Sequence, residues 1–279
     1  VKLRIYSDLH QDHREPHYWY PPVLPDDAET TLILAGDLWT GSDFISHPIV
    51  GTNNEYFSWI EKVAPRFKQV LIVLGNHDYW PTNRALTIKE GGRKCNEMLY
   101  DRGLMNVQVL DCDNVLDGDV LFVGCTLWTD MDNMDPLTMH NMTNFMRYDG
   151  RIAYETGPSG AWSRFLSERW VYTHMRHRDY LKLIFEQNRD KKIVAITHHI
   201  PLKTVSDPAF QSAHGNGYYS SDLSELILDN PHVKLWAYGH THYQNETMLG
   251  DTLLVNNCVG YKHQAMDEQG LVQHKVIEI

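Results

Sequence analysis

Apolar positions in this chain gather into short β-rich runs, and five of those runs stop at a polar tip. Leu3 to Tyr6 leads to Asp8-Leu9-His10, Leu32 to Ala35 leads to Gly36-Asp37, and Val70 to Leu74 leads to Gly75-Asn76-His77-Asp78. Ile193 to Ile196 leads to His198-His199-Ile200-Pro201, and Val233 to Tyr238 leads to Gly239-His240-Thr241-His242. Runs this short and this apolar read as buried strands. The pattern predicts strands near 2–7, 31–35, 69–74, 107–110 and 114–123, with Asp117-Gly118-Asp119 as a hairpin turn signal. Helical spacing of Phe57, Ile60, Val63 and Ala64 predicts a helix over 54–66, and a second is expected over 82–102, stopped by Gly103. Further strands are expected near 192–197, 233–238, 244–248, 252–256 and 271–278, the later ones antiparallel, with a helix over 221–229.

Residues 126–190 depart from this rhythm. Met131, Met134, Met139, Met142 and Met146 lie among Asp and Asn, followed by a basic aromatic helix over 161–189 with Trp162, Phe165, Leu166, Trp170 and Leu181. The segment reads as a cap or insertion within one domain spanning 1–279. Its methionines suit a flexible lid or an irregular core filling.

The carboxyl ends of strands in α/β sheets converge on one crevice. Five polar tips far apart in sequence can therefore meet in one pocket. Their donors are carboxylate, amide and imidazole, with no thiolate, which suits a first-row divalent metal site with two ions. Spacing of i, i+2 lets Asp8 and His10 serve one ion, and His240 and His242 repeat it. The carboxylate of Asp37 can bridge two ions, and Asn76 offers a neutral amide oxygen.

The formal net charge of −11 argues against a broad nucleic-acid surface. It leaves a phosphate substrate open, because two divalent ions outweigh Asp8 and Asp37 locally. No apolar run is long enough for a membrane helix, and the first residues enter a strand without a signal-peptide pattern. Cys95, Cys112, Cys125 and Cys258 lack metal-knuckle spacing, which fits reduced thiols and a cytoplasmic location.

The five motifs, in this order over residues 8–242, resemble the calcineurin-like metallophosphoesterases. Gly124 to Asp130 and Asn257 to Tyr261 also look like a bacterial and phage-type branch of that superfamily. The resemblance implies an α/β fold of two packed mixed β-sheets flanked by helices, an αββα sandwich. It implies hydrolysis of a phosphomonoester or phosphodiester by a metal-bridging hydroxide, on a small-molecule or nucleotide substrate. Asp8, His10, Asp37 and His242 would hold one ion, and Asp37, Asn76, His199 and His240 the other. The family's His-x-Pro favours His199 as the donor, with His198 contacting substrate or supporting the site; strand register alone also allows His198. His77 would protonate the leaving oxygen, with Asp78 orienting it. His13 and His214 are weaker candidates for substrate contact. Mn²⁺ fits the donors first, then Fe²⁺ or Zn²⁺; Thr40 stands where purple acid phosphatases carry Tyr, which disfavours a tyrosinate–iron site. A nuclease of the same fold and a silent metal-binding scaffold are the alternatives. The H-x-H-x-D-H signature of β-lactamase-like hydrolases is absent.

Overall fold

In β1 (Lys2–Tyr6), β2 (Thr30–Ala35) and β3 (Gln69–Val73) both faces are largely buried, the outward face of β1 including the charged Arg4, and each face serves a different core. Leu3, Ile5, Ile33, Ala35, Leu71 and Val73 point to an inner layer. Tyr6, Leu32, Leu34, Val70 and Ile72 point outward, to a core shared with helices α1 (Glu55–Val63) and α2 (Gly91–Asp101). Strands buried on both faces read as continuous apolar runs rather than alternating ones. The computed structural model describes residues 1–14, 16–40, 55–80, 86–145, 148–209, 211, 216–264 and 266–279.

These strands, with β4 (Val107–Val109), form a parallel sheet, and the C-terminal strand Ile277–Glu278 adds antiparallel to β1. The second sheet contains β5 (Asp113–Asp117), β6 (Val120–Cys125), β9 (Lys192–Thr197), β10 (Val233–Tyr238), β11 (Asn245–Leu249) and β12 (Thr252–Asn256). Its inner face supplies Val120, Phe122, Val194, Ile196, Leu235 and Ala237 to the same inner layer. Its outer face packs Leu121, Val123, Ile193 and Ala195 against Leu181 and Phe185 of α5 (Ser167–Gln187) and Ile227 of α6 (Ser224–Leu228). The order is therefore helix, mixed sheet, mixed sheet, helix, as expected.

Several expectations shift. The turn at Asp117-Gly118-Asp119 splits the expected 114–123 strand into the antiparallel pair β5–β6. The helix expected over 82–102 begins at Gly91, because Thr87 bridges to Ala153; residues 81–85 lie outside the described residues. The 161–189 helix begins at Ser167, since Trp162–Arg164 forms β8, paired with β7 (Ala153–Thr156). β12 runs parallel to β10 and antiparallel only to the edge strand β11. Of the strand expected over 271–278, only Ile277–Glu278 pairs, here named β13.

Within 126–190, α3 (Met131–Met134) is a single turn wound left-handed, with Asp132 at φ 62, ψ 47 and Asn133 at φ 57, ψ 47. It leads into α4 (Pro136–Phe145). Met131 and Met142 are buried in the outer core of the first sheet, Met139 packs partly against it and Met134 is exposed. Met146 lies outside the described residues.

Candidate metal centre

Strand ends of both sheets meet at one place. The first sheet brings Asp8, His10, Asp37, Asn76 and His77; the second brings His198, His240 and His242. All but His240 and His242 are buried. The side chains form two groups. In the first, His10 Nε2 lies 2.9 Å from His242 Nε2 and 3.9 Å from Asp37 Oδ2. His242 Nε2 is 3.4 Å from Asp8 Oδ1. In the second, His198 Nε2 lies 3.0 Å from Asn76 Oδ1, 3.2 Å from His240 Nδ1 and 3.4 Å from Asp37 Oδ2. Asp37 Oδ2 faces both groups.

Partners outside the two groups fix which atoms face inward. His198 Nδ1 donates to the Ala35 carbonyl at 2.9 Å, which turns Nε2 inward. Gln264 Oε1 accepts the Tyr261 amide at 2.7 Å, so it is the oxygen, and His242 Nδ1 must donate to it at 2.8 Å. The Nε2 of His242 is therefore also the nitrogen turned inward. Asn76 Nδ2 donates to Asp149 Oδ1 at 3.1 Å, and Trp80 Nε1 donates to the same oxygen at 2.6 Å. That turns Asn76 Oδ1 toward His198. Ser7 Oγ and the His240 amide both donate to the Asp8 carboxylate. Ring nitrogens, the Asn76 amide oxygen and the carboxylates of Asp8 and Asp37 thus converge at close range, a concentration of acceptor atoms that suits a cation.

The field of the pocket points the same way. Burial raises the Asp37 carboxyl, but the charges of His198 and His77 outweigh it and hold the carboxyl well below its usual range. Burial opposes the His198 imidazolium, yet Asp37, by charge and hydrogen bond, and then Asp8 raise it to about 9. Burial lowers His10 and His240 well below the usual range. Burial opposes the His242 imidazolium too, but the hydrogen bond and charge of Asp8 raise it; the centre thus draws positive charge toward its carboxylates.

The backbone is bent to make this happen. Asp8, His10, Asp37, His240 and His242 have φ of 53, 41, 54, 75 and 48°. Each such non-glycine residue costs about 1–3 kcal/mol, and such outliers collect at functional sites. Two glycines keep the loops in contact. A Cβ on Gly36 (φ 90°) would lie 2.3 Å from His198 Nδ1, and one on Gly75 would lie 2.1 Å from Asp37 Oδ1.

The sequence favours His199 as the donor, whereas the structure places His198 beside Asn76, His240 and Asp37. Along β9, Val194 and Ile196 face the inner layer and Ile193 and Ala195 face outward. His198 follows the inward parity; His199 follows the outward one. His199 stands between Trp128 and Trp170, and the Thr126 carbonyl accepts its backbone amide. Among the described residues Asp78 makes no side-chain hydrogen bond to the His77 ring. Its carboxylate accepts the amides of Gly75 (2.7 Å), Asp37 (2.9 Å) and Trp39 (3.2 Å), tying the two loops together. Burial and then the Asp37 charge push that carboxyl up to about 8, against the pull of the amides.

His77 stacks on Trp80; its Nε2 lies 3.2 Å from the Tyr261 hydroxyl and 3.9 Å from Asp37 Oδ2. Burial lowers its pKa. His13 sits at the rim, half exposed, 3.5 Å from Asp12 and edge-on to Tyr261. His214 lies outside the described residues. Sequence reasoning missed Asp149, Gln264 and Ser7, which hold donors in place, and gave Tyr261 no role. Tyr261 stacks on His10 with ring centroids 4.2 Å apart. Ser7 alone had a local signal, its position next to the first motif.

A family model described as calcineurin-like phosphoesterase matches residues 1–244. An uncharacterised protein of Acanthamoeba polyphaga mimivirus, L509, is 24% identical over 281 residues, covering 94% of this chain and 92% of its own. Among solved structures, the phosphopantetheinyl hydrolase PptH from Mycobacterium tuberculosis superposes with a TM-score of 0.64 at 18% identity. That alignment covers 96% of this chain and 92% of the other.

Proposed function

The chain belongs to the calcineurin-like phosphoesterase family, metal-dependent phosphoric ester hydrolases, and from that premise we propose a dinuclear phosphoesterase. Asp8, His10, Asp37 and His242 would hold one divalent ion, and Asp37, Asn76, His198 and His240 the other. The observation that carries this reading is the convergence of His10 Nε2 and His242 Nε2 across 2.9 Å, with Asp8 Oδ1 3.4 Å from the second nitrogen and Asp37 Oδ2 3.9 Å from the first. The donor set is nitrogen and oxygen throughout, which suits Mn²⁺, Fe²⁺ or Zn²⁺. Such ions, when bound, supply Lewis acidity to the phosphoryl oxygens and a water-derived nucleophile at neutral pH.

The chain's own residues do the rest. Asp37 places one carboxylate oxygen between the two groups, while its other oxygen accepts the His77 amide at 2.9 Å. His77 Nε2 lies beside the Tyr261 hydroxyl, which aims it, and 3.9 Å from Asp37 Oδ2; we assign His77 the protonation of the leaving oxygen. Segment 126–190 supports the centre as part of the same domain, since Asp149 orients Asn76 and Tyr148 stacks on Trp80. We assign it the role of a cap over a small substrate.

The acidic chain favours a small phosphomonoester, phosphodiester or nucleotide over a polyanion. Four free cysteines fit a reducing cytoplasm. Among the described residues no helix is long and apolar enough to cross a membrane. The test is hydrolysis of p-nitrophenyl phosphate against bis-p-nitrophenyl phosphate by metal-analysed protein, with Mn²⁺ added or chelated. Two ions per chain and turnover lost in Asp37→Ala and His77→Ala support the reading. Ions bound without turnover of either ester, or of a nucleotide panel, would leave a scaffold; no bound ion would refute it.

A further inference from the structure

A second cluster of reactive side chains lies outside the centre, at the open end of the β5–β6 ladder. Asp113 pairs with Gly124 at the end of the ladder, and Cys112 and Cys125 are the next residues on either side. Cys112 turns left-handed there, at φ 55°, and packs against the same outer core that holds Cys125. Both are free thiols.

Their surroundings differ. Cys125 is fully buried in the outer core of the second sheet. Cys112 is half-buried and lines an open groove with Arg93, Asn96, Asp111 and Asp113. His177 on α5 stands beside Cys112, and Arg176, Asp111, Asp113, Arg93 and the Tyr180 hydroxyl are further ionisable groups around the thiol. The neighbouring Cys125 thiol first, then His177 and Arg176, hold the Cys112 thiol below its usual range although burial opposes them. Burial pushes the Cys125 thiol up. One sulfur is thus an accessible nucleophile and the other a protonated neighbour, the arrangement of a reactive and a resolving thiol.

Asp111, Cys112 and His177 also lie within 4.8 Å of one another, as metal ligands could. The tautomer of His177 disfavours that use. Its Nδ1 accepts the Leu127 amide at 3.1 Å, which puts the ring proton on Nε2. Neither nitrogen then has a free lone pair for a cation, whereas a ring N–H suits a thiolate.

We propose that Cys112 and Cys125 are a peroxide-responsive redox pair. The Cys112 thiolate attacks one peroxide oxygen; an S–O bond forms, the O–O bond breaks, and hydroxide leaves as water. The Cys125 sulfur then attacks the Cys112 sulfenic sulfur; an S–S bond forms, the S–O bond breaks, and a second water leaves. Two thiols lose two electrons, and one hydrogen peroxide becomes two waters.

The experiment uses the full chain, reduced and then exposed to hydrogen peroxide at pH 7. Thiols are counted after denaturation and peptides are mapped by mass spectrometry. The expected result is a fall from four thiols to two. A peptide pair linked through Cys112 and Cys125 appears, and dithiothreitol reverses it. Cys112 reacts at least about tenfold faster than Cys95 or Cys258, as thiolate character and access dictate. In Cys125→Ala, dimedone traps Cys112 as a sulfenic acid; in Cys112→Ser, Cys125 stays reduced. An unchanged thiol count, loss of Cys95 or Cys258 first, or a zinc ion recovered with the reduced chain that blocks the reaction would each overturn the proposal. None of these readouts depends on ester hydrolysis, so they stand apart from the assignment of the metal centre.

Discussion

Replacing Gly75 by Ala adds one methyl group where the two loops of the first sheet touch. The new Cβ would lie 2.1 Å from Asp37 Oδ1, 2.6 Å from the Asp37 backbone nitrogen and 2.7 Å from His198 Cε1, where ordinary contact begins at 3.4 Å. The oxygen must therefore retreat by more than 1 Å, or the loop must. Neither has an easy path. Asp37 Oδ1 is held by the His77 amide, and Gly75's own amide is held by Asp78. Overpacking of this kind costs about 1–3 kcal/mol of stability, which a chain of this size survives. A displacement of about 1 Å at a reacting centre costs on the order of 10²-fold in rate. The expected outcome is a folded variant with kcat/KM for bis-p-nitrophenyl phosphate reduced about 10²-fold, read beside a thermal melt and a metal count. Activity within about threefold of wild type, with both ions retained, would refute the argument that the close approach of the Asp37 and Gly75 loops sets the centre.

Three further outcomes follow from the same geometry. His198→Ala is expected to lose one ion per chain by elemental analysis and His199→Ala to keep both; the opposite result would restore His199 as the donor. Asp149→Ala frees the Asn76 amide to flip, and is expected to weaken the second ion about 10–100-fold, visible as a higher Mn²⁺ concentration for half-maximal activity, with the circular dichroism spectrum unchanged. Asp27 lies between the guanidinium groups of Arg4, fully buried, and Arg66. Burial raises its carboxyl, but Arg66, the Leu24 amide and Arg4 together lower it. A carboxyl lowered in the folded chain stabilises it above the ordinary pKa, and that gain is lost as pH falls through the folded pKa. The Tm gap between wild type and Asp27→Asn is therefore expected to be full at pH 7 and to close as pH falls below 3.8; a gap that is constant down to pH 2 would remove Asp27 from the account.

What the sequence revealed of this centre was its position, and what it concealed was parity and distance. A polar tip after an apolar run is visible because strand burial demands apolar residues and donors do not belong among them. Which of His198 and His199 turns inward is hidden, because Ile193 to Ile196 are apolar on both faces and the pattern does not say which face meets the other sheet. Asp149 lies 73 residues from the amide it orients, in a segment without a motif, so only folding brings the two together. The start of α2 was misjudged for a similar reason: Thr87 belongs to a bridge with Ala153, a partner no local pattern names. The sandwich itself was legible because each strand run carried its own punctuation.

The donors are divided between the two layers: Asp8, His10, Asp37 and Asn76 stand on one sheet, and His198, His240 and His242 on the other. Each donor group draws from both. In mechanical language, two plates joined by interleaved side chains, and by the backbone bridge of Ser7 to Cys258 at the tip end, form a laminate. The two proposed ions would act as further bolts through that end and turn it into a cantilever clamped at the centre. Load applied to such a body would part it first where the strands begin, so the chain with both ions bound should yield from the edge farthest from the centre and keep the bolted end aligned until last.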